Sequence, residues 1–219
     1  MKDAIKTRHM VRRYINKPIP KELVSLLNER IGMNNASHNL NLQLVTENDD
    51  GLGAMAKLLA AKTVNNYIIL AGPDSENLDE KLGYCGADLI LYAQTLGLNT
   101  WWVGGLFHSK GAKKYIEQPD VRINGVIAIG YGQNQGIAHK SKKASEISRY
   151  EGEAPQWFCD GVEALLYAPT ALNKQPYMVK GIGNQVKITA GEGHFSGIDL
   201  GIGKYHFELG AGRENFRWT

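Results

Sequence analysis

Cysteine is scarce in this sequence, and the residue types that bind metals are scattered. The 219 residues include two cysteines, Cys85 and Cys159, which lack a metal-ligand spacing and are too few for a disulfide framework. We expect both to be reduced thiols. None of the six histidines stands at a ligand spacing from another beside a carboxylate. The sequence therefore predicts no metal site.

Long apolar runs and a strong charge of one sign are absent as well. The richest apolar stretches, residues 89–93 and 126–129, are far shorter than the roughly 20 residues of a membrane helix, so no membrane partner is expected. The net charge of +3 is too small to favour nucleic acid as a partner. The first residues lack the apolar segment of a signal peptide, and we expect a cytoplasmic protein.

The chain also lacks the motifs of several large enzyme classes. It has no Gly-x-Gly-x-x-Gly after a predicted strand, no P-loop, no nucleophile elbow and no His-Glu-x-x-His. These absences argue against standard dinucleotide-binding folds, P-loop nucleotide hydrolases, α/β-hydrolases and zinc peptidases. No catalytic side chain stands out from the sequence.

The sequence does contain 43% hydrophobic residues, enough for a folded core, and they follow regular patterns. Residues 21–31 repeat apolar side chains at helical spacing. Residues 82–96 are apolar around most of a helix, which predicts a buried helix that ends at Gly97. Further helices are predicted at 160–167 and 197–209. Strands are predicted at 40–44, 67–70, 100–103, 123–131, 177–180 and 185–189.

Two short segments occur twice in the same order. LNLQ at 40–43 has a counterpart in LNKQ at 172–175, and GADL at 86–89 has one in GIDL at 197–200. Each member of the first pair follows a predicted helix and lies before or within a predicted strand, and each member of the second pair opens an apolar helix. The matching order predicts a degenerate tandem duplication.

Arg8 and Arg12 are the first candidate binding residues. They stand four residues apart, so a helical turn would place them on one face, where both could bind a phosphate. The alternative is a solvated basic terminus.

The second candidate is a loop with a proline at each end. Thr170 supplies a hydroxyl, and Asn173 and Gln175 supply side-chain amides that could bind the edge of a heteroaromatic ring. The alternative is a helix-to-strand turn in which these amides satisfy nearby backbone groups. A predicted strand that ends in Gly104 and Gly105 is the third candidate, because glycines let a flat ligand approach the backbone N–H groups. Its alternative is an ordinary turn.

Jointly these pieces resemble the FMN-dependent nitroreductase family, in particular a subgroup whose chains carry two tandem halves. The likeness rests on the arginine stretch at 8–14, LGLNTWWVGG at 96–105, the strand at 126–131 and the basic residues at 140–142. The family's Pro-Ser-x-x-Asn-x-Gln-Pro loop reads Pro-Thr-x-x-Asn-x-Gln-Pro from Pro169 onwards.

The resemblance implies an α+β fold with a mainly antiparallel sheet flanked by helices. The family is normally a homodimer whose flavin contacts arginines of one subunit and the proline-bounded loop of the other. Here the arginines lie in the first half and the loop in the second. We therefore expect two degenerate tandem halves that mimic the family dimer, at 1–138 and 139–219, in a monomeric pseudo-dimer or a homodimer.

The resemblance also implies an FMN-dependent oxidoreductase that passes a hydride from NADH or NADPH to a small, flat electron acceptor. The flavin carries this chemistry, so no catalytic residue is expected. His9 replaces the family's usual serine. Two alternatives remain, a flavin-binding protein without turnover and an anion- or nucleic-acid-binding module. The expected cofactor contacts are Arg8, His9, Arg12, Gly104, Gly105, Lys140, Lys142, Pro169, Thr170, Asn173 and Gln175.

Overall fold

The computed structural model describes residues 1–60 and 62–219, which form two compact units. The N-terminal unit consists of Thr7–Leu78 and Leu89–Ala138. The C-terminal unit consists of Met1–Lys6, Asp79–Asp88 and His139–Thr219. The division into tandem halves at 1–138 and 139–219 stays a prediction.

The N-terminal unit is built on an antiparallel sheet. Helix α1 (Lys2–Thr7) comes before it in the chain but belongs, up to Lys6, to the C-terminal unit. The strands are β1 (Gln43–Val45), β2 (Tyr67–Pro73), β3 (Asn99–Val103) and β4 (Val121–Gly130), in the order β1-β2-β4-β3. The helices are α2 (Lys21–His38), α3 (Ala54–Leu59), the later part of α4 (Leu78–Thr95) and α5 (Ser109–Lys113).

The two central strands of this sheet are buried on both faces. Ile69 of β2 packs in an apolar cluster with Val126 and Ala128 of β4. Ile68 and Ile127, which point to the opposite face, are equally buried. Alternate side chains of a strand point to opposite faces, so a strand buried on both must be apolar throughout. This is why residues 67–71 of β2 and 126–129 of β4 form continuous apolar runs.

The C-terminal unit has a mixed sheet. Its strands are β5 (Ser148–Glu151), β6 (Tyr177–Ile182), β7 (Gln185–Ala190) and β8 (Arg217–Trp218), in the order β5-β6-β7-β8. The central β6–β7 pair is antiparallel, and the two outer pairs are parallel. The unit also contains α6 (Ala144–Ile147), α7 (Gln156–Leu165) and α8 (Ser196–Ala211).

Helix α8 packs closely against two neighbours. Gly161 of α7 faces the Phe207 ring, and a Cβ at Gly161 would lie 2.7 Å from it. The Phe158 and Phe207 rings meet edge to face at 5.7 Å. At the first part of α4, a Cβ at Gly201 would overlap the Glu80 carbonyl oxygen. Glycine at this crossing therefore permits direct backbone contact between the two helices.

The predicted α+β fold with a mainly antiparallel sheet is confirmed. Helix α4 is buried almost all round, as its apolar circumference predicts, and Gly97 follows it with a left-handed φ of 76°. Helix α2 begins at Lys21 but continues beyond the predicted end to His38, where Asn39 adopts a left-handed φ of 54°. Among the described residues, no helix is both long and apolar enough to cross a membrane.

Candidate functional site

The arginine segment at 8–14 is not helical, so the helical turn that would place Arg8 and Arg12 on one face is not formed. Met10 pairs in parallel with Thr100 of β3, and Tyr14 pairs with Gly132. The Val11 N–H donates to the Thr100 carbonyl at 3.1 Å. The backbone groups that a helix would use are therefore engaged by the sheet. The four-residue spacing of the two arginines does not place them one helical turn apart.

Arg8 is a buried cation. Only 6% of the residue is exposed, and no carboxylate within residues 1–60 and 62–219 pairs with its guanidinium. Burial lowers the pKa of Arg8 from 12.5 to about 10, which leaves the side chain charged at neutral pH. An unpaired buried charge is unfavourable, since nothing replaces the water that it loses. An anion at this place would remove that penalty.

Arg12 is exposed and lies over the ring of Trp101, with its guanidinium carbon 5.6 Å from the ring centroid. The parallel pairing of Met10 with Thr100 directs the segment toward the end of β3, where the chain bends at Gly104 and Gly105. The structure thus brings Arg12 and the end of β3 to one region of the N-terminal unit.

His9 is half-buried against the segment that follows β4. A Cβ at Gly136 would lie 2.7 Å from the His9 Cβ, so this glycine, whose φ is 75°, allows the close approach. Gly104 is half-buried and Gly105 is exposed. A ligand can therefore reach the backbone at Gly105 without displacing a side chain.

The loop at 170–175, in the C-terminal unit, has a strained backbone. Leu172, Asn173 and Gln175 have φ values of 54°, 55° and 45°. Asparagine adopts this left-handed region readily, whereas leucine and glutamine each lose about 1–2 kcal/mol there. Leu172 is moreover 89% exposed, so its own packing does not offset the strain. Such conformations persist where surrounding contacts impose them, and they concentrate at ligand-binding sites.

The side chain of Gln175 supplies several of those contacts. It is 1% exposed, its Oε1 accepts a hydrogen bond from the Lys142 N–H at 2.7 Å, and its Nε2 donates to the Leu166 carbonyl at 2.7 Å. The Lys142 Nζ donates to the Gln175 carbonyl at 2.9 Å. Both side chains are thus engaged by protein groups, and their direct contact with a cofactor stays a prediction.

Other predicted residues leave polar groups at the loop surface. The Thr170 Oγ1 accepts from the Gln175 N–H at 2.9 Å, which leaves its own proton to donate. The Asn173 Nδ2 donates to the Lys140 carbonyl at 2.9 Å, and the exposed amide keeps its oxygen available. Lys140 is exposed, and Pro169 is half-buried at the start of the loop. The structure therefore brings together Lys140, Lys142, Pro169, Thr170, Asn173 and Gln175.

Asp199 was not among the predicted site residues, although it contacts the loop. It lies in α8, is 5% exposed, and its Oδ1 accepts a hydrogen bond from the Ala171 N–H at 3.1 Å. Burial raises the pKa of Asp199 to about 6, against smaller opposing effects of the Ala171 N–H and of Lys174. One sequence signal could have identified Asp199: the repeated GADL and GIDL segments each place an acidic residue in an apolar helix.

The described part of the chain contains no group of three or more His, Cys, Asp and Glu side chains that could hold a metal ion. The buried cation of the N-terminal unit suits an anion. The amide and hydroxyl groups of the constrained loop, in the C-terminal unit, suit a ligand with hydrogen-bonding edges.

Comparison with protein-family models gives a match over residues 1–211 to the family described as "Putative TM nitroreductase". A "putative nitroreductase" from Thermotoga maritima MSB8 is 21% identical, with a TM-score of 0.69 over 97% of this chain and 83% of that one. No curated protein sequence matches the chain.

Two further solved structures share the fold over about two thirds of the chain. A "Putative NADH dehydrogenase/NAD(P)H nitroreductase" from Bacteroides thetaiotaomicron VPI-5482 is 22% identical, with a TM-score of 0.54 over 67% of this chain and 94% of that one. A "putative nitroreductase in complex with FMN" from Desulfovibrio desulfuricans is 18% identical, with a TM-score of 0.53 over 70% of this chain and 97% of that one.

Proposed function

Since the chain belongs to this nitroreductase family, we propose that it is an oxidoreductase that binds FMN. It would take a hydride from NADH or NADPH and pass it to a small, flat electron acceptor. The FMN named in the Desulfovibrio desulfuricans structure supports the choice of cofactor. The observation in this chain that supports it best is the buried, unpaired guanidinium of Arg8.

Arg8 fits the phosphate group of FMN. Its guanidinium is fully charged at neutral pH, and no carboxylate of the described chain neutralises it. A planar guanidinium matches phosphate oxygens in a two-pronged hydrogen bond, and such charge-assisted bonds are about twice as strong as neutral ones. A phosphate would replace the water that burial removes from Arg8. Arg12 is proposed as a further cation for the phosphate, and the exposed Lys140 remains a proposed cofactor contact of the C-terminal unit.

The loop at 170–175 fits the polar edge of a flavin. We propose that Pro169 lines the ring, while Thr170 and Asn173 bind ring or ribityl oxygens. The buried Gln175 and Lys142 would then act chiefly by holding the loop, although a direct contact remains part of the proposal. His9 is a proposed neighbour of the phosphate or the ribityl chain.

FMN, when bound, would supply hydride-transfer chemistry. The chain's own groups would bind and orient the cofactor, with the backbone N–H groups at Gly104 and Gly105 proposed as contacts of its ring. This assignment requires no acid–base pair from the protein. A protein that only holds flavin would use the same contacts, so turnover has to be measured.

The first experiment is the visible absorption spectrum of the purified protein before and after anaerobic NADH or NADPH. We expect a flavin spectrum that bleaches on addition of the reductant. If the flavin stays oxidised after the reductant is added, the protein binds flavin without turnover and is not an enzyme of this kind. A colourless protein that also fails to bind added FMN would contradict the whole proposal.

A variant pair tests the role of Arg8. Arg8→Met should weaken FMN binding by about tenfold to a hundredfold, because a buried charge-assisted hydrogen bond is lost. It should not lower the free energy of unfolding of the flavin-free protein, because an unpaired buried charge is removed. Arg13→Met is the matched control, since Arg13 is exposed and close in sequence. Equal FMN affinities for the two variants would exclude Arg8 as the phosphate ligand.

A further inference from the structure

The loop at 170–175 is fixed at its end by many contacts and at its beginning by few. Gln175 and Lys142 anchor the end through side-chain and backbone hydrogen bonds. At the beginning, the Ala171 N–H reaches outside the loop to the Asp199 carboxyl of α8. The left-handed Leu172 directly follows Ala171. The Asp199 contact therefore holds the strained part of the loop to the body of the C-terminal unit.

The Asp199 carboxyl is poorly satisfied as an anion. It is 5% exposed and accepts one hydrogen bond within the described residues, from the Ala171 N–H. An ionised carboxylate has room for about four hydrogen bonds. A neutral carboxyl needs fewer, and its carbonyl oxygen can still accept from the Ala171 N–H. The closed arrangement of the loop is thus better suited to the neutral carboxyl.

Few charged or titratable groups face Asp199. Lys174 of the loop favours the ionised carboxyl, but its side chain is exposed. From β6, the fully buried Tyr177 hydroxyl lies close enough for the charge of Asp199 to raise its pKa further, and it has no hydrogen-bond partner of its own among the described residues. From α4, the Asp79 side chain packs against Gly197, two residues before Asp199. None of these neighbours satisfies a carboxylate at position 199.

We propose that Asp199 is a proton-responsive positioning residue: it holds the loop at 170–175 through the Ala171 N–H, and its ionisation loosens the loop. Opening the loop admits water to the carboxyl, and water favours the charged form. The open state therefore binds a proton less tightly than the closed state. It follows by linkage that mild acid favours the closed loop, and that the loop loosens as the pH rises.

The pH range follows from the burial of Asp199. Burial raises its pKa to about 6 in the closed state, against the ordinary value of 3.8 that a hydrated carboxyl approaches. The extra stability of the closed loop is complete below the lower value and is lost as the pH rises through about 6. The response thus lies between about pH 4 and pH 6.

Amide hydrogen exchange at Ala171 in the flavin-free protein tests this proposal. We expect its protection, corrected for the intrinsic exchange rate, to fall as the pH rises from 4 to 6 and to level off above about pH 6. Asp199→Asn keeps an oxygen acceptor without a charge and should keep the amide protected throughout. Asp199→Ala removes the acceptor and should raise the exchange rate about tenfold or more at every pH.

Asp88→Asn is the matched control. Asp88 is also buried in the C-terminal unit, at the other copy of the repeated segment, and its carboxyl accepts a hydrogen bond from the Tyr205 hydroxyl at 2.6 Å. This variant should leave the pH response at Ala171 unchanged. A pH-independent wild type, an Asp199→Asn variant that follows the wild-type profile, or an Asp199→Ala variant with wild-type protection would each overturn the proposal. Thermal unfolding of each variant confirms that the fold is retained.

The consequence for cofactor binding rests on the proposed function. If the loop contacts FMN, the FMN dissociation constant should rise with pH in the wild type and stay constant in Asp199→Asn. Failure of the wild type to bind FMN would contradict the proposed function alone. The exchange measurement uses no flavin and decides the role of Asp199 separately.

Discussion

The central strands of the two sheets differ in how their residues are buried. In the N-terminal unit, Ile68 and Ile69 of β2 point to opposite faces, and both are completely buried. In the C-terminal unit, Ile188 of β7 is 6% exposed, while its neighbour Lys187 points to the other face and is exposed. The first sheet is covered on both faces and the second on one. A strand's sequence pattern therefore reports how many of its faces are covered.

The largest expected effects separate the two strands directly. Ile68→Ala and Ile69→Ala should each lower the free energy of unfolding by about 2–5 kcal/mol, because either face is a packed core. Ile188→Ala should have a comparable effect, whereas Lys187→Ala should change stability by less than about 0.5 kcal/mol. Urea unfolding of the four variants provides the measurement. A small effect of either Ile68→Ala or Ile69→Ala would show that one face of the first sheet is open.

A smaller effect is expected where the helices of the C-terminal unit meet. Gly201→Ala places a methyl group against the Glu80 carbonyl oxygen and should lower the free energy of unfolding by about 1–3 kcal/mol. Gly32→Ala in α2 is a useful control, because no atom lies within 4 Å of the added Cβ and alanine favours helix. Thermal denaturation should therefore show a lowered melting temperature for Gly201→Ala and not for Gly32→Ala. Equal melting temperatures would contradict close contact between α4 and α8.

The smallest expected effect concerns the exposed face of the C-terminal sheet. Lys180 lies directly opposite Lys187 and beside Arg149 on the two neighbouring strands. Like charges in such positions repel each other. Lys180→Glu should therefore raise the free energy of unfolding by about 0.2–1 kcal/mol, and added salt should reduce the gain. Lys180→Gln removes the repulsion without adding an attraction, so it separates the two contributions. A gain in stability that does not change with salt concentration would argue against an electrostatic origin.

Much of the fold could be predicted from patterns within short segments. The apolar circumference of α4 and the uninterrupted apolar stretch of β4 each require burial on all sides. The short β8 and helices α3 and α5 could not be predicted. Strand β8 has two residues, Arg217 and Trp218, and pairs with β7 from a distant part of the chain. Segments this short carry no periodicity of their own.

The candidate site also depends on contacts between segments that are distant in sequence, which the sequence patterns do not predict. The sequence identifies Arg8 and Gln175 as candidates, but it predicts neither the burial of the unpaired Arg8 nor the internal hydrogen bonds of the Gln175 amide. The two arginines do not share a helical turn, because Met10 between them pairs with a strand that lies far along the chain. Asp199 was missed for a related reason, since its partner Ala171 is distant in sequence.

The sequence by itself determined the residue types, the apolar patterns and the motif spacing that identify the nitroreductase family. These properties depend on the local chain and on the chemistry of each side chain. Tertiary structure alone decided which polar groups lose water and which of them find partners. Solvation of Arg8 and Asp199 depends on residues remote in sequence, because burial and hydrogen bonding arise when separate segments pack together.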